Sequence, residues 1–211
     1  MNHIEMSIKS PDLRRYKLIV LDWDGTLVYS RSNVISAMQY VSYRYRNTDW
    51  FELDKSRDKN LSLEDNFKNF FNEDKDAAYS DYIAKYISGI KDNVRKIDGS
   101  DELLEYLDRE CLRKAVVTSK DRKLWELEKG LFNTSFEYSV CKDEAEHNKP
   151  APDALEKVIA HFSVSKDSVL MIGDSVHDKE AAQRAGVNFI ILHGNAGLDI
   201  LVKKILTNLN K

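Results

Sequence analysis

Leu18-Ile19-Val20-Leu21-Asp22-Trp23-Asp24-Gly25-Thr26 decides the reading of this chain, because four apolar residues run directly into two carboxylates one residue apart. A short apolar run closed by a turn fits a strand buried on both faces. Acids at its exit are costly unless a cation or a shared proton compensates their like charges. Gly25 frees the backbone for a tight turn, and Thr26 offers a hydroxyl to nearby donors or acceptors. An EF-hand fits poorly, since Gly25 falls too early in the loop and the preceding segment reads as strand.

Three further strand ends carry chemistry. Lys114-Ala115-Val116-Val117 ends in Thr118-Ser119-Lys120, setting hydroxyls, turn amides and an ammonium side by side in a way that suits phosphate oxygens. The same residues also read as a Ser/Thr cap for the helical stretch from about Asp121. Lys149 directly precedes Pro150-Ala151-Pro152-Asp153, where the prolines stiffen the approach to another helical pattern; taken alone, it is an ordinary surface lysine. Ser168 to Ile172 feeds Gly173-Asp174-Ser175-Val176-His177-Asp178, a strand with acids at its exit, of which Asp174 alone reads as a helix cap. In an open parallel sheet such ends gather along one edge, where ligands bind.

Taken in order, DWDGT, the Thr118 turn, Lys149 and GDSVHD resemble the four motifs of the haloacid dehalogenase-like (HAD) superfamily, over about Lys17 to Gly194. The resemblance implies a nucleophilic Asp22 that becomes a transient aspartyl phosphate, and an Asp24 that serves as general acid and then general base. It implies magnesium held by the Asp22 carboxylate, the Asp24 carbonyl and Asp174. Thr118 and the Ser119 amide are then expected to hold the substrate phosphate, Lys149 to offset the charge of Asp22 and the transferring group, and Asp178 to support Lys149 or the metal shell. Lys120 is a weaker candidate. Dehalogenases of the superfamily lack an aspartate at the position of Asp24, so its presence favours phosphate esters. A phosphosugar mutase uses the same acid pair and is the alternative. A receiver-like phospho-acceptor module is a third, although such domains are shorter and carry no large helical insertion.

Between the first and second motifs the pattern changes. Residues from Ser30 to Lys96 show helical spacing: Val34, Met38, Val41 and Tyr45 on one stripe, Leu63, Phe67 and Phe70 on a second, Tyr79, Tyr82, Ile83 and Tyr86 on a third. These read as packing faces of a small bundle, with Asp54 to Asn60 and Asn72 to Asp76 as links. From Asp101 helix and strand alternate, with strands near 114–118, 138–141, 169–172 and 189–192 and a last helix near 198–209. The expected fold is α/β, a Rossmann-like parallel sheet with helices on both faces, plus an inserted all-helical cap domain. The expected division is 1–29 with 97–211 as catalytic core and 30–96 as cap. This placement resembles the capped HAD group that includes phosphoglycolate phosphatases and beta-phosphoglucomutases, in which the cap closes over the catalytic edge. It implies hinges near Tyr29–Ser30 and Lys96–Gly99 and a small phosphorylated metabolite as substrate. Tyr29 departs from the acid that many phosphoglycolate phosphatases carry there. Arg31, Arg44 and Arg46 are basic residues of the insertion that read as solvated helix positions, and His177 and His193 match no catalytic position.

At 211 residues the chain is long enough for a substantial core and an insertion. A net charge of −3 with interspersed signs gives no general electrostatic reason to bind nucleic acid or an anionic membrane. Cys111 and Cys141 lack metal-type spacing and read as buried, reduced thiols. Met1 to Tyr16 is polar and without the apolar stretch of a signal peptide; the expected location is the cytoplasm. Oligomeric state is not legible.

Overall fold

The computed structural model describes residues 3–57, 63–194 and 196–209. Along the chain lie β1 (His3–Met6), β2 (Leu18–Leu21), β3 (Val28–Tyr29), α1 (Arg31–Arg46), α2 (Trp50–Asp54), α3 (Leu63–Phe71), α4 (Lys75–Asn93), β4 (Arg95–Lys96), α5 (Ser100–Arg109), β5 (Arg113–Val117), α6 (Arg122–Glu128), β6 (Tyr138–Val140), α7 (Asp153–Phe162), β7 (Val169–Gly173), α8 (Val176–Ala185), β8 (Asn188–His193) and α9 (Gly197–Leu209). They form two compact units, residues 1–29 with 95–211 and residues 30–94.

In the first unit a six-stranded sheet runs in the order β1-β8-β7-β2-β5-β6. β2 lies near the middle, parallel to β5 on one side and to β7 on the other, with Leu21 opposite both Val116 and Ile172. All four residues of β2 are completely buried, each contributing about 1.5–3 kcal/mol on an area basis. Leu18 and Val20 share a core cluster with Leu155 and Val158 of α7 and Ala181 and Ala182 of α8. Strand alternation turns Ile19 and Leu21 to the other face, where α5 and α9 pack on each other and on the sheet.

One edge departs from the all-parallel expectation. His3–Met6 adds an antiparallel strand beside β8, with His3 opposite His193 and Met6 opposite Ile190. Four residues of mixed polarity carry too weak a pattern to announce a strand; pairing with an existing sheet makes one. A two-residue ribbon, Val28–Tyr29 with Arg95–Lys96, is likewise too short for any periodicity. Cys111 is exposed, contrary to expectation, in a left-handed turn just after α5, while Cys141 is buried.

In the second unit α1 packs along α4, and α3 on α4. Met38 and Val41 of the first stripe, Phe67 and Phe70 of the second, and Tyr82 and Tyr86 of the third are buried. The rings of Phe67, Phe71, Tyr79 and Tyr82 meet mostly edge-on or tilted. The side chain of Leu63 and residues 58–60 of the first link lie outside the described residues. The second link is shorter than its polar run: Asn72–Asp74 make one 3-10 turn and α4 begins at Lys75. Arg44 pairs with Asp81 at 2.8 Å and Arg46 with Asp74 at 2.9 Å, so both tie helices together and neither is simply solvated.

Candidate active site

Asp22 leaves the C-terminal end of β2 only 5% exposed, its backbone N–H donating to the Ile172 carbonyl at 2.9 Å. Its Oδ1 accepts from Lys149 Nζ at 2.5 Å and its Oδ2 from Thr26 Oγ1 at 3.1 Å. Lys149 is no surface residue. Its ammonium also donates to Asp178 Oδ1 at 2.6 Å and to the Val117 carbonyl at 3.1 Å. Asp178 is fixed in turn by a capping box at the start of α8, with Oδ2 accepting from Ser175 Oγ at 2.6 Å and from Ser175 N at 3.0 Å. Ser175, rather than Asp174, therefore caps this helix and leaves the Asp174 carboxylate for the site.

Two glycines permit these approaches. Gly25 has φ +85°, and a Cβ there would lie 2.1 Å from Asp174 Oδ2; one on Gly173 would lie 2.5 Å from Asp178 Cβ. Carboxylate oxygens of Asp22, Asp174 and Asp178 fall within 4.8 Å of one another. Burial, the largest influence, raises the Asp22 carboxyl to about 8, with Lys149 opposing and Asp178 and Asp174 reinforcing the rise. Burial and the neighbouring Asp178 likewise raise Asp174 to about 7. Asp178 moves the other way, because the charge and hydrogen bond of Lys149 and the bonds from Ser175 outweigh its burial. The Lys149 ammonium is held above its usual range by Asp178 and Asp22 against its own burial. One ammonium facing three carboxylates leaves surplus negative charge in an all-oxygen donor set, which fits a hard dication such as magnesium.

On the neighbouring strand, Thr118 is buried after β5, its N–H donating to the Val140 carbonyl at 3.1 Å and its Oγ1 accepting from Lys120 N at 3.1 Å. It does not cap α6, whose N-cap residue is Asp121. Ser119 is exposed. Asp24 is partly exposed, with Oδ1 2.9 Å from Lys120 Nζ. Lys120 is buried, as is its other carboxylate partner, Glu128, which sequence reasoning missed. An acid one turn beyond Leu124 and Trp125 on the apolar stripe of α6 was the available signal. Tyr29 stacks beneath the Arg95 guanidinium, 4.9 Å from its ring centre. A second acidic group, Glu146, His147 and Asp153, is superficial; Asp153 accepts from the His147 N–H at 3.2 Å.

A mostly parallel α/β sheet whose carboxyl edge gathers buried acids, a lysine and a hydroxyl turn defines the class. Residues 19–192 match the family model described as haloacid dehalogenase-like hydrolase. The chain belongs to that family, and is an enzyme of the hydrolase type. It is 26% identical over 176 residues to pyrophosphatase PpaX of Halalkalibacterium halodurans, covering 82% of each chain. Among solved structures it is similar to a Lactobacillus plantarum protein provisionally described as a phosphoglycolate phosphatase, with TM-score 0.69, 26% identity and coverage of 82% and 84% of the two chains. CbbY of Rhodobacter sphaeroides in complex with phosphate shares the fold at TM-score 0.69 and 16% identity, with coverage of 82% and 84%. Among the described residues no helix is long and apolar enough to cross a membrane.

Proposed function

We propose that this protein is a magnesium-dependent phosphatase that hydrolyses a small phosphate monoester through an aspartyl-phosphate intermediate. The observation that carries the reading is the buried Asp22 carboxylate, held by Lys149 with Asp174 and Asp178 alongside. Asp22, the Asp24 carbonyl and Asp174 would hold magnesium, which would supply charge neutralisation to a dianionic phosphate. An Asp22 oxygen attacks phosphorus while the bond from phosphorus to the ester oxygen breaks. Asp24 gives its proton to the departing alkoxide. It then takes a proton from water, whose oxygen attacks phosphorus, and the Asp22 carboxylate leaves with release of inorganic phosphate. Lys149 offsets the charge that Asp22 and the phosphoryl oxygens share, and Thr118 with the Ser119 amide holds those oxygens. Asp178 keeps Lys149 in place.

We read the helical unit, inserted between the first and second site strands, as the cap domain that selects a phosphorylated metabolite in the cytoplasm. Relatives named for pyrophosphate and for phosphoglycolate put both compounds on the test panel, with phosphosugars and nucleotides. The expected result is phosphate release that requires magnesium, stops with EDTA and is lost in Asp22→Asn. Release that is indifferent to Asp22 would overturn the reading.

A further inference from the structure

Glu128 is wholly buried, yet its carboxylate serves no group of the reaction directly. Both its oxygens accept from Lys120 Nζ at 2.7 Å, and Oε2 also accepts from Trp23 Nε1 at 2.8 Å. The Lys120 ammonium then reaches Asp24 Oδ1 at 2.9 Å. Trp23 is the residue between the two motif aspartates. Its indole is clamped edge-on by Trp125, Phe132 and Phe136 at centroid distances of 5.8, 5.5 and 5.7 Å. The result is a closed ring: Asp24, its covalent neighbour Trp23, Glu128, Lys120 and back to Asp24.

From this ring we propose that Glu128 and Trp23 are positioning residues for Asp24, acting through Lys120; the inference rests on the role proposed above for Asp24. A partly exposed aspartate has several accessible rotamers, and a lone lysine is too flexible to fix one of them. Two-pronged anchoring by Glu128 immobilises the lysine in advance, so the ammonium meets Asp24 without a fresh entropic cost. Trp23 locks Glu128 to the same peptide segment that carries Asp24, so anchor and target move together. A buried ion pair gives little stability over an apolar pair of similar size. Packing alone does not account for charges at these positions.

The test uses the full chain with magnesium and p-nitrophenyl phosphate, whose leaving group departs without a proton. Glu128→Gln should lower kcat by about tenfold or more, a part of the roughly 10²–10⁴-fold that a general acid–base group supplies, and should lower KM in parallel, so that kcat/KM stays near the parental value. A burst of nitrophenolate near one equivalent per enzyme should persist, because attack by Asp22 survives while hydrolysis, which needs Asp24, is slowed. Trp23→Phe should show a smaller loss of the same form. Because Glu128→Gln removes one of the two carboxylates that hold a buried ammonium, the double variant Lys120→Met/Glu128→Leu provides a folded comparison. It should melt closer to the parent than Glu128→Gln does, its remaining cost being the buried Trp23 N–H left without its acceptor, yet keep the low kcat and the burst. Recovery of parental kcat by the double variant, or loss of burst and turnover in equal measure in it, would overturn the inference. Absence of magnesium-dependent phosphate release from the parent would instead sink the proposed function.

Discussion

Two buried lysines of the α/β unit are built alike and placed in opposite electrostatic circumstances. Lys149 bridges Asp22 and Asp178, and Lys120 bridges Asp24 and Glu128. Around Lys149 a third carboxylate, Asp174, adds charge that one ammonium does not balance, and burial lifts Asp22 to about 8. Around Lys120 the deeper carboxylate is closed by three hydrogen bonds, one from Trp23. The first arrangement leaves a demand for further positive charge; the second holds a side chain still. A buried lysine between two acids therefore does not by itself reveal a demand for a further cation. The uncompensated carboxylate beside it does.

The sharpest way to break this comparison is at the proposed nucleophile. Asp22→Asn should reduce phosphate release by at least about 10³-fold, measured with any substrate the parent turns over. Lys149→Met should come next, with about 10²-fold or more lost in kcat and a destabilisation of about 3–5 kcal/mol in denaturant melts, because two buried carboxylates lose their partner. The contrast with the smaller loss expected of Lys120→Met/Glu128→Leu, about 1–3 kcal/mol for the Trp23 N–H it leaves without an acceptor, is the direct test of the distinction between the lysines. Gly25→Ala places a Cβ against Asp174 Oδ2 at a positive φ and should weaken magnesium activation by about 10- to 100-fold, read as a shift in the metal titration.

A smaller effect concerns pH. Asp22 and Asp174 bind protons more tightly in the folded chain than in the unfolded one, their carboxyls standing near 8 and 7 against an unfolded value near 4. Between about pH 4 and 8 the folded state therefore holds more protons, and the stability of the metal-free protein falls as pH rises through that window. Magnesium favours the ionised carboxylates and should oppose the fall. Thermal melts at pH 5 and pH 8, with and without magnesium, read both signs.

Much of this was legible in the chain, because strands buried on both faces show as unbroken apolar runs and their ends fall where the chemistry is. Val169–Gly173 and Leu18–Leu21 are of this kind. The His3–Met6 strand was not legible, since its reason for existing is the free edge of β8. The burial of Lys149 was hidden for the same reason: its partners lie 127 and 29 residues away. Glu128 escaped because a single acid on a helix ordinarily faces water, and only the fold brings Trp23 and Lys120 to it. Motif order locates a site, whereas the residues that steady it depend on tertiary neighbours.

Trapping the covalent intermediate tests the central claim most directly. The protein is mixed with magnesium and a substrate it turns over, quenched in acid within one turnover, and digested for mass spectrometry. The account predicts a phosphoryl group on the peptide containing Asp22, at that residue, and none in Asp22→Asn. Phosphate release by the parent with Asp22 unmodified at every quench time, or a phosphoryl group carried elsewhere, would contradict it.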